Sequence, residues 1–170
     1  MTQNRQKHIF ETWLNDYKAM LFKVVRAYAF TEPERDDLFQ EIAIQIWRSI
    51  PDFRRDSAVI TWIYRVALNT AIKWNRDEQK YREGRQSFEN MEHLLQKNKQ
   101  QRDDRLDWLY DEIGKLDEID RSISLLMLDG FSYKEMSKIL GITESNVGVK
   151  IHRIKKHLIE KSEEYDHHGI

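Results

Sequence analysis

The 170-residue chain has no cysteine, two prolines, six glycines and no uninterrupted apolar run that could span a bilayer. Without cysteine, disulfides and thiolate metal sites are excluded. The shortage of breakers leaves room for long helices, and nowhere do apolar and polar residues alternate over the length of a half-buried strand. The segment Met1-Thr-Gln-Asn-Arg-Gln-Lys7 lacks the apolar core of a signal peptide. A soluble cytoplasmic protein without direct membrane insertion is therefore expected. There is no Gly-rich phosphate loop, no His-Glu-x-x-His and no spacing that suggests a catalytic triad. No enzyme activity, cofactor or small-molecule substrate is expected. His152 and His157 are five apart, a poor fit to one metal on a helix, and His167 and His168 lie in a terminal tail. They read as solvated or DNA-facing side chains, not as metal ligands.

Hydrophobic residues make up 40 % of the chain, enough for packed cores. The net charge is −1, which counts against a free-standing DNA binder, since those are usually basic. That charge is unevenly placed. Residues 145–161 hold five Lys/Arg against one Glu, and residues 48–85 hold nine Lys/Arg against five Asp/Glu. Between them, residues 103–120 hold eight Asp/Glu against two Lys/Arg. Two basic zones separated by an acidic one suit a protein that touches nucleic acid twice.

Helical periodicity begins at about residue 7, where Phe10, Trp13, Leu14, Tyr17, Leu21, Val24 and Tyr28 form a stripe lasting to about residue 29. Thr31-Glu-Pro-Glu34 then reads as a fresh start, with Thr31 as cap, Glu34 closing a capping box and Pro33 in the first turn. This second helix continues through Leu38, Phe39, Ile42, Ala43, Ile46 and Trp47 to about Ser49, and Pro51 stops it. The loop Asp52-Phe-Arg-Arg-Asp-Ser57 leads to a third helix over about 58–80, with Val59, Ile63, Val66, Ala67, Thr70 and Trp74 as its inward stripe. On its other face Trp62, Arg65, Asn69, Lys73, Arg76 and Lys80 follow at helical spacing. An aromatic, an amide and four cations on one face suit phosphates, base edges and an unstacked base. A solvated outer face is the bland alternative.

Residues 82–104 contain few large apolar groups and read as a linker. Helical order resumes with Leu106, Leu109, Ile113 and Leu116, followed by a helix over about 118–129 ending at Gly130. In Phe131–Leu158, Ser132 and Glu135 have capping-box spacing, Gly141 sits where a helix would end, and Thr143 can cap the next one. On that last helix Val147, Ile151, Ile154 and Leu158 make one apolar stripe, with Lys150, Arg153, Lys155 and Lys156 off it. A short helix, a tight turn and a helix with a cationic outer face is how helix-turn-helix proteins enter a major groove. The expected fold is all-α: two small helical domains, residues 1–85 and 105–165, joined by a flexible linker over 86–104, the C-terminal one a helix-turn-helix.

Two segments, in this order, resemble the extracytoplasmic-function group of bacterial sigma factors. Asp37-Leu-Phe-Gln-Glu-Ile-Ala-Ile-Gln-Ile-Trp47 is similar to that family's D-L-x-Q-E-x-F-x-x-x-W helix, and Ser57-Ala-Val-Ile-Thr-Trp-Ile-Tyr-Arg-Val-Ala-Leu-Asn69 to its F-x-x-W-L-y-r-I-A-r-N signature. The stretch Leu116 to Leu158 resembles its promoter-reading domain nearly end to end. Gly130-Phe-Ser-Tyr-Lys-Glu-Met-Ser-Lys-Ile-Leu-Gly-Ile142 and Ile151-His-Arg-Ile-Lys-Lys-His-Leu158 carry that likeness. There are departures: Val59 for the usual Phe, Leu68 for a usual Arg, Lys73 where Asp is frequent, Trp74 and Asn75 for more typical residues, and Gly148 and Val149 where Lys and a small polar residue are common. Gly costs roughly 1 kcal/mol in a helix interior, so Gly148 suggests a close backbone approach to DNA.

The resemblance implies core RNA polymerase, promoter DNA and an anti-sigma protein as partners. Asp37, Gln40, Glu41 and Gln45 would dock on the polymerase clamp. Phe53, Arg54, Arg55, Trp62, Arg65, Asn69, Lys73 and Arg76 would recognise and open the −10 element, with Phe53 and the loop polar groups forming the pocket for an extracted base. Ser145, Asn146, Val149, Lys150, Arg153, Lys155 and Lys156 would read the −35 element, Lys150 and Arg153 as the best base-edge candidates and Lys155 and Lys156 as phosphate contacts. Two alternatives stand beside this reading: a stand-alone helix-turn-helix regulator, and a non-initiating sigma mimic that binds polymerase.

Overall fold

A computed structural model of the protein describes residues 1–83 and 103–168. Most of the expected linker, 86–102, lies outside the described residues. The chain divides into two compact units, with the boundary between Asp103 and Asp104. Among the described residues every regular element is helical.

The N-terminal unit is built from α1 (Gln3–Tyr28), α2 (Glu32–Ser49), a 3-10 turn (Ile50–Asp52) and α3 (Val59–Glu83). Helix α1 starts four residues earlier than its apolar stripe predicts. Gln6 explains part of this: its side-chain amide donates to the carbonyl of Trp47 at 2.8 Å, satisfying one of the open carbonyls at the end of α2. Beside it the rings of Phe10 and Trp47 meet edge to face at 5.3 Å. Helix α2 begins as its sequence requires. Thr31 accepts from the Glu34 amide, and the Glu34 carboxylate accepts from the Thr31 amide. Such a box stabilises a helix start by about 1 kcal/mol.

Leu38, Ile42 and Ile46 of α2 interleave in the core with Leu21, Val24 and Tyr28 of α1 and with Ile63, Tyr64, Ala67, Leu68 and Ala71 of α3. The inward stripe of α3 is therefore rotated from the expected one. Val59, Val66 and Thr70 are only half-buried, whereas Tyr64 and Leu68 are fully inside. Leu68, an outlier against the sigma pattern, is thus a core residue. Trp74 is 9 % exposed, and its indole Nε1 donates to Asp37 Oδ2 at 2.9 Å, which fixes α3 to the start of α2.

The C-terminal unit contains α4 (Asp104–Lys115), α5 (Glu118–Leu128), α6 (Tyr133–Leu140) and α7 (Glu144–His168). The starts of α5, α6 and α7 each have a chemical reason. Asp117 accepts from the Asp120 amide, Ser132 and Glu135 form a reciprocal capping box, and Thr143 accepts from the Asn146 amide at 3.1 Å. Gly141 closes α6 at φ +69°, a left-handed conformation open to glycine at no steric cost. Met136, Ile139, Val147, Ile151 and Ile154 are buried with Ile113, Ile123, Leu125 and Leu126.

Helix α7 runs ten residues past Leu158. Tyr165 continues the apolar stripe, and its ring lies 5.5 Å from that of Trp108 on α4. This contact fastens the acidic tail of α7 to α4.

Candidate polymerase and nucleic-acid interfaces

Three surfaces carry the candidate residues. On α2, Asp37, Gln40 and Glu41 are exposed on the side opposite the Leu38–Ile42–Ile46 stripe, and Gln45 is half-buried at its margin. Asp37 has a second engagement, because its carboxylate holds the Trp74 indole. One residue of this surface escaped the sequence reading. Ile44 is 41 % exposed, four residues after Gln40 and three after Glu41, so it lies among them. Its absence from the i, i+4, i+8 core rhythm is the signal that marks it.

The second surface is α3 with the loop before it. Arg65, Asn69, Lys73 and Arg76 recur at helical spacing, and all four are exposed. Trp62 and Phe53 are not free members of this face. With Trp13 of α1 they form a three-ring cluster, with centroids 5.1 Å apart for Phe53–Trp62, 5.3 Å for Trp13–Phe53 and 5.6 Å for Trp13–Trp62. Each such pair contributes about 0.5–1.5 kcal/mol beyond the area it buries. The cluster ties both ends of the arginine loop to the helical body, and its half-buried rings stand at the head of the cationic row.

Arg54 and Arg55 stand exposed in that loop. Arg55 has φ +62°, the only positive φ among the described non-glycine residues, at a cost of roughly 1–2 kcal/mol. Strain of this kind persists where the surroundings over-determine the backbone, here between the 3-10 turn and the start of α3.

The third surface is α7. Ser145, Val149, Arg153 and Lys156 follow at i, i+4, i+8 and i+11 on the face opposite the core stripe and are exposed, as are Asn146 and Lys155. Lys150 differs from them. Its ammonium lies 2.8 Å from Asp120 Oδ1 on α5, with the two side chains 24 % and 23 % exposed. Gly148 lies beside the α6 ring: a Cβ there would sit in ordinary van der Waals contact, 3.4 Å from Cε2 of Tyr133. Glu135, in the capping box between α5 and α6, is held below its ordinary pKa of 4.5 by its hydrogen bonds with the Ser132 backbone and hydroxyl.

Among the described residues no group of three or more His, Asp or Glu side chains is placed to hold a metal ion. No described helix is long and apolar enough to cross a membrane.

Residues 7–81 match the Sigma-70 region 2 family, and residues 106–158 match the Sigma-70, region 4 family. The first match contains the α2 and α3 surfaces, and the second contains the helix-turn-helix. The RNA polymerase sigma factor YlaC of Bacillus subtilis is 30 % identical over 142 residues, spanning 75 % of this chain and 79 % of that protein. The ECF RNA polymerase sigma-E factor of Haemophilus influenzae is 26 % identical over 171 residues, spanning 94 % and 90 %. The chain belongs to the extracytoplasmic-function group of the sigma-70 family. Among solved structures, the fold of this sigma factor resembles RpoE of Bartonella quintana in complex with the anti-sigma factor NepR. There the TM-score is 0.71 at 16 % identity, with 89 % of this chain and 94 % of that chain covered.

Proposed function

We propose that this chain is an alternative sigma factor that binds core RNA polymerase and directs promoter-specific initiation as a non-enzymatic subunit in the cytoplasm. The exposed α2 face of Asp37, Gln40, Glu41 and Ile44, with Gln45 at its margin, docks on the polymerase. Ile44 supplies an apolar centre inside a polar rim, the usual anatomy of a protein interface. Arg65, Asn69, Lys73 and Arg76 take the edge of the −10 duplex, and Arg54 and Arg55 lie beside the opened strand. The Trp13–Phe53–Trp62 cluster offers ring surface on which an extracted base can stack. On α7, Arg153 reads base edges with Ser145 and Asn146, while Lys155 and Lys156 hold phosphates.

One observation carries the reading: a single chain holds, in order, a cationic α3 face headed by aromatic rings and a helix-turn-helix with a cationic outer row. Its −1 net charge suits a subunit that gains affinity from a larger assembly. An anti-sigma protein is the regulatory partner in this reading.

The test is reconstitution with sigma-free core polymerase. Co-elution in size exclusion and permanganate-reactive thymines on particular promoters in a pool are the expected results. Arg153→Ala is expected to weaken use of the upstream element by about 1–3 kcal/mol, and Asn69→Ala to impair opening while leaving upstream duplex binding intact. Tight duplex binding with no affinity for core polymerase would instead establish a stand-alone regulator, and core binding without opening a mimic.

A further inference from the structure

We infer that Val149 reads the C5-methyl group of a thymine in the upstream promoter element, which makes it a specificity-determining residue of α7. The inference rests on the reading of α7 as the promoter helix. Val149 is 49 % exposed, and in its row of Ser145, Val149, Arg153 and Lys156 it is the only apolar side chain. It contributes little to the fold: its β-branch disfavours a helix slightly, and it is turned away from the Val147–Ile151–Ile154 core. A cation at this place would add sequence-independent phosphate affinity, which Val149 forgoes.

What the side chain does offer is two methyl groups. A β-branched residue in a helix has one strongly preferred rotamer, so these are held stiffly and lose little freedom on contact. Among major-groove base edges the distinctive apolar group is the thymine methyl. The neighbours support the assignment. Lys150, next in sequence, is engaged with Asp120 at 2.8 Å. At position 148 there is no side chain, and the Tyr133 ring lies alongside, 3.4 Å from where a Cβ would stand. The approach to Val149 is thus bordered by a glycine and a tethered lysine, and Arg153 stands one turn further on.

The four-residue step from Val149 to Arg153 rises about 6 Å along α7, and successive base pairs are roughly 3.4 Å apart. The thymine therefore lies within about two base pairs of the base that Arg153 contacts.

The experiment selects duplexes with the reconstituted holoenzyme from a pool randomised across the upstream element, then replaces each selected thymine in turn by deoxyuridine. This removes one methyl group and leaves the protein unchanged. We expect one position near the Arg153-dependent base pair to lose about fourfold in affinity, the effect of taking one methyl out of apolar contact. Val149→Ala should show a similar loss on the thymine duplex and no further loss with deoxyuridine. The inference is overturned if no position responds, or if Val149→Ala stays as sensitive to deoxyuridine as the parent chain. Arg153→Ala separates the two levels. Loss of upstream selection in that variant, with deoxyuridine inert throughout, rejects the Val149 assignment alone. Unchanged selection in that variant rejects the reading of α7 itself, and the Val149 assignment with it.

Discussion

Replacing Lys150 by Ala should weaken the C-terminal unit more than it weakens base recognition. The ammonium lies 2.8 Å from Asp120 Oδ1, and the two side chains retain 24 % and 23 % of their exposure. Fully exposed ion pairs contribute about 0–1 kcal/mol, and hydrogen bonds to charged groups roughly 1.5–3 kcal/mol. A pair three-quarters withdrawn from water falls between, at about 1–2 kcal/mol. In a unit of this size each 1 kcal/mol moves Tm by about 4–8 °C. A drop of roughly 5–15 °C in the melting of α5 and α7 is therefore expected, read by far-UV circular dichroism and by hydrogen exchange of peptides from those helices. Asp120→Ala should give a similar loss, and the double variant should lose less than the sum, because both changes remove one interaction. In the holoenzyme, Lys150→Ala should leave the salt dependence of promoter binding unchanged, whereas Lys155→Ala or Lys156→Ala should reduce its slope by about one. An unchanged melt together with relaxed base preference in Lys150→Ala would refute this reasoning. It would mean that the lysine leaves Asp120 when DNA arrives.

Trp74→Phe keeps the buried ring and deletes the donor to Asp37, so a loss of about 1–2 kcal/mol is expected in chemical denaturation of the N-terminal unit. Asp37→Asn keeps an acceptor and should lose less than Asp37→Ala. Gly141→Ala places a side chain at φ +69° with nothing within 4 Å of its Cβ, so its cost is backbone strain alone, about 1–2 kcal/mol, and Gly141→Asn should recover part of it. Glu135 has a folded pKa below its ordinary 4.5, so its stabilising effect is complete above that pH and is lost as pH falls through the folded value. Acid titration of the melting temperature should show this decline, and Glu135→Gln should flatten it.

Much of the local architecture was legible from sequence because its causes are local. Thr31, Glu34, Ser132, Glu135 and Thr143 act on amides within four residues of themselves, and Gly141 answers to its own φ, so caps and helix starts can be read from spacing alone. The apolar rhythm of α7 exposed its cationic side for the same reason. The ends of α1 and α7 were less legible, since Gln6 reaches Trp47 and Tyr165 reaches Trp108 across long separations in sequence. No periodicity contains such a partner.

The sequence alone determined that the chain is helical, that its last third holds a helix-turn-helix, and which faces are cationic, because period, caps and charge are one-dimensional properties. Tertiary structure decided what each conspicuous residue on those faces touches. Packing brought Phe53 and Trp62 to Trp13, set the Tyr133 ring beside Gly148, and joined Asp37 to the Trp74 indole. Lys150 and Arg153 are chemically alike and three residues apart. Only the position of Asp120, thirty residues earlier, divides them into a tethered cation and one left facing outward.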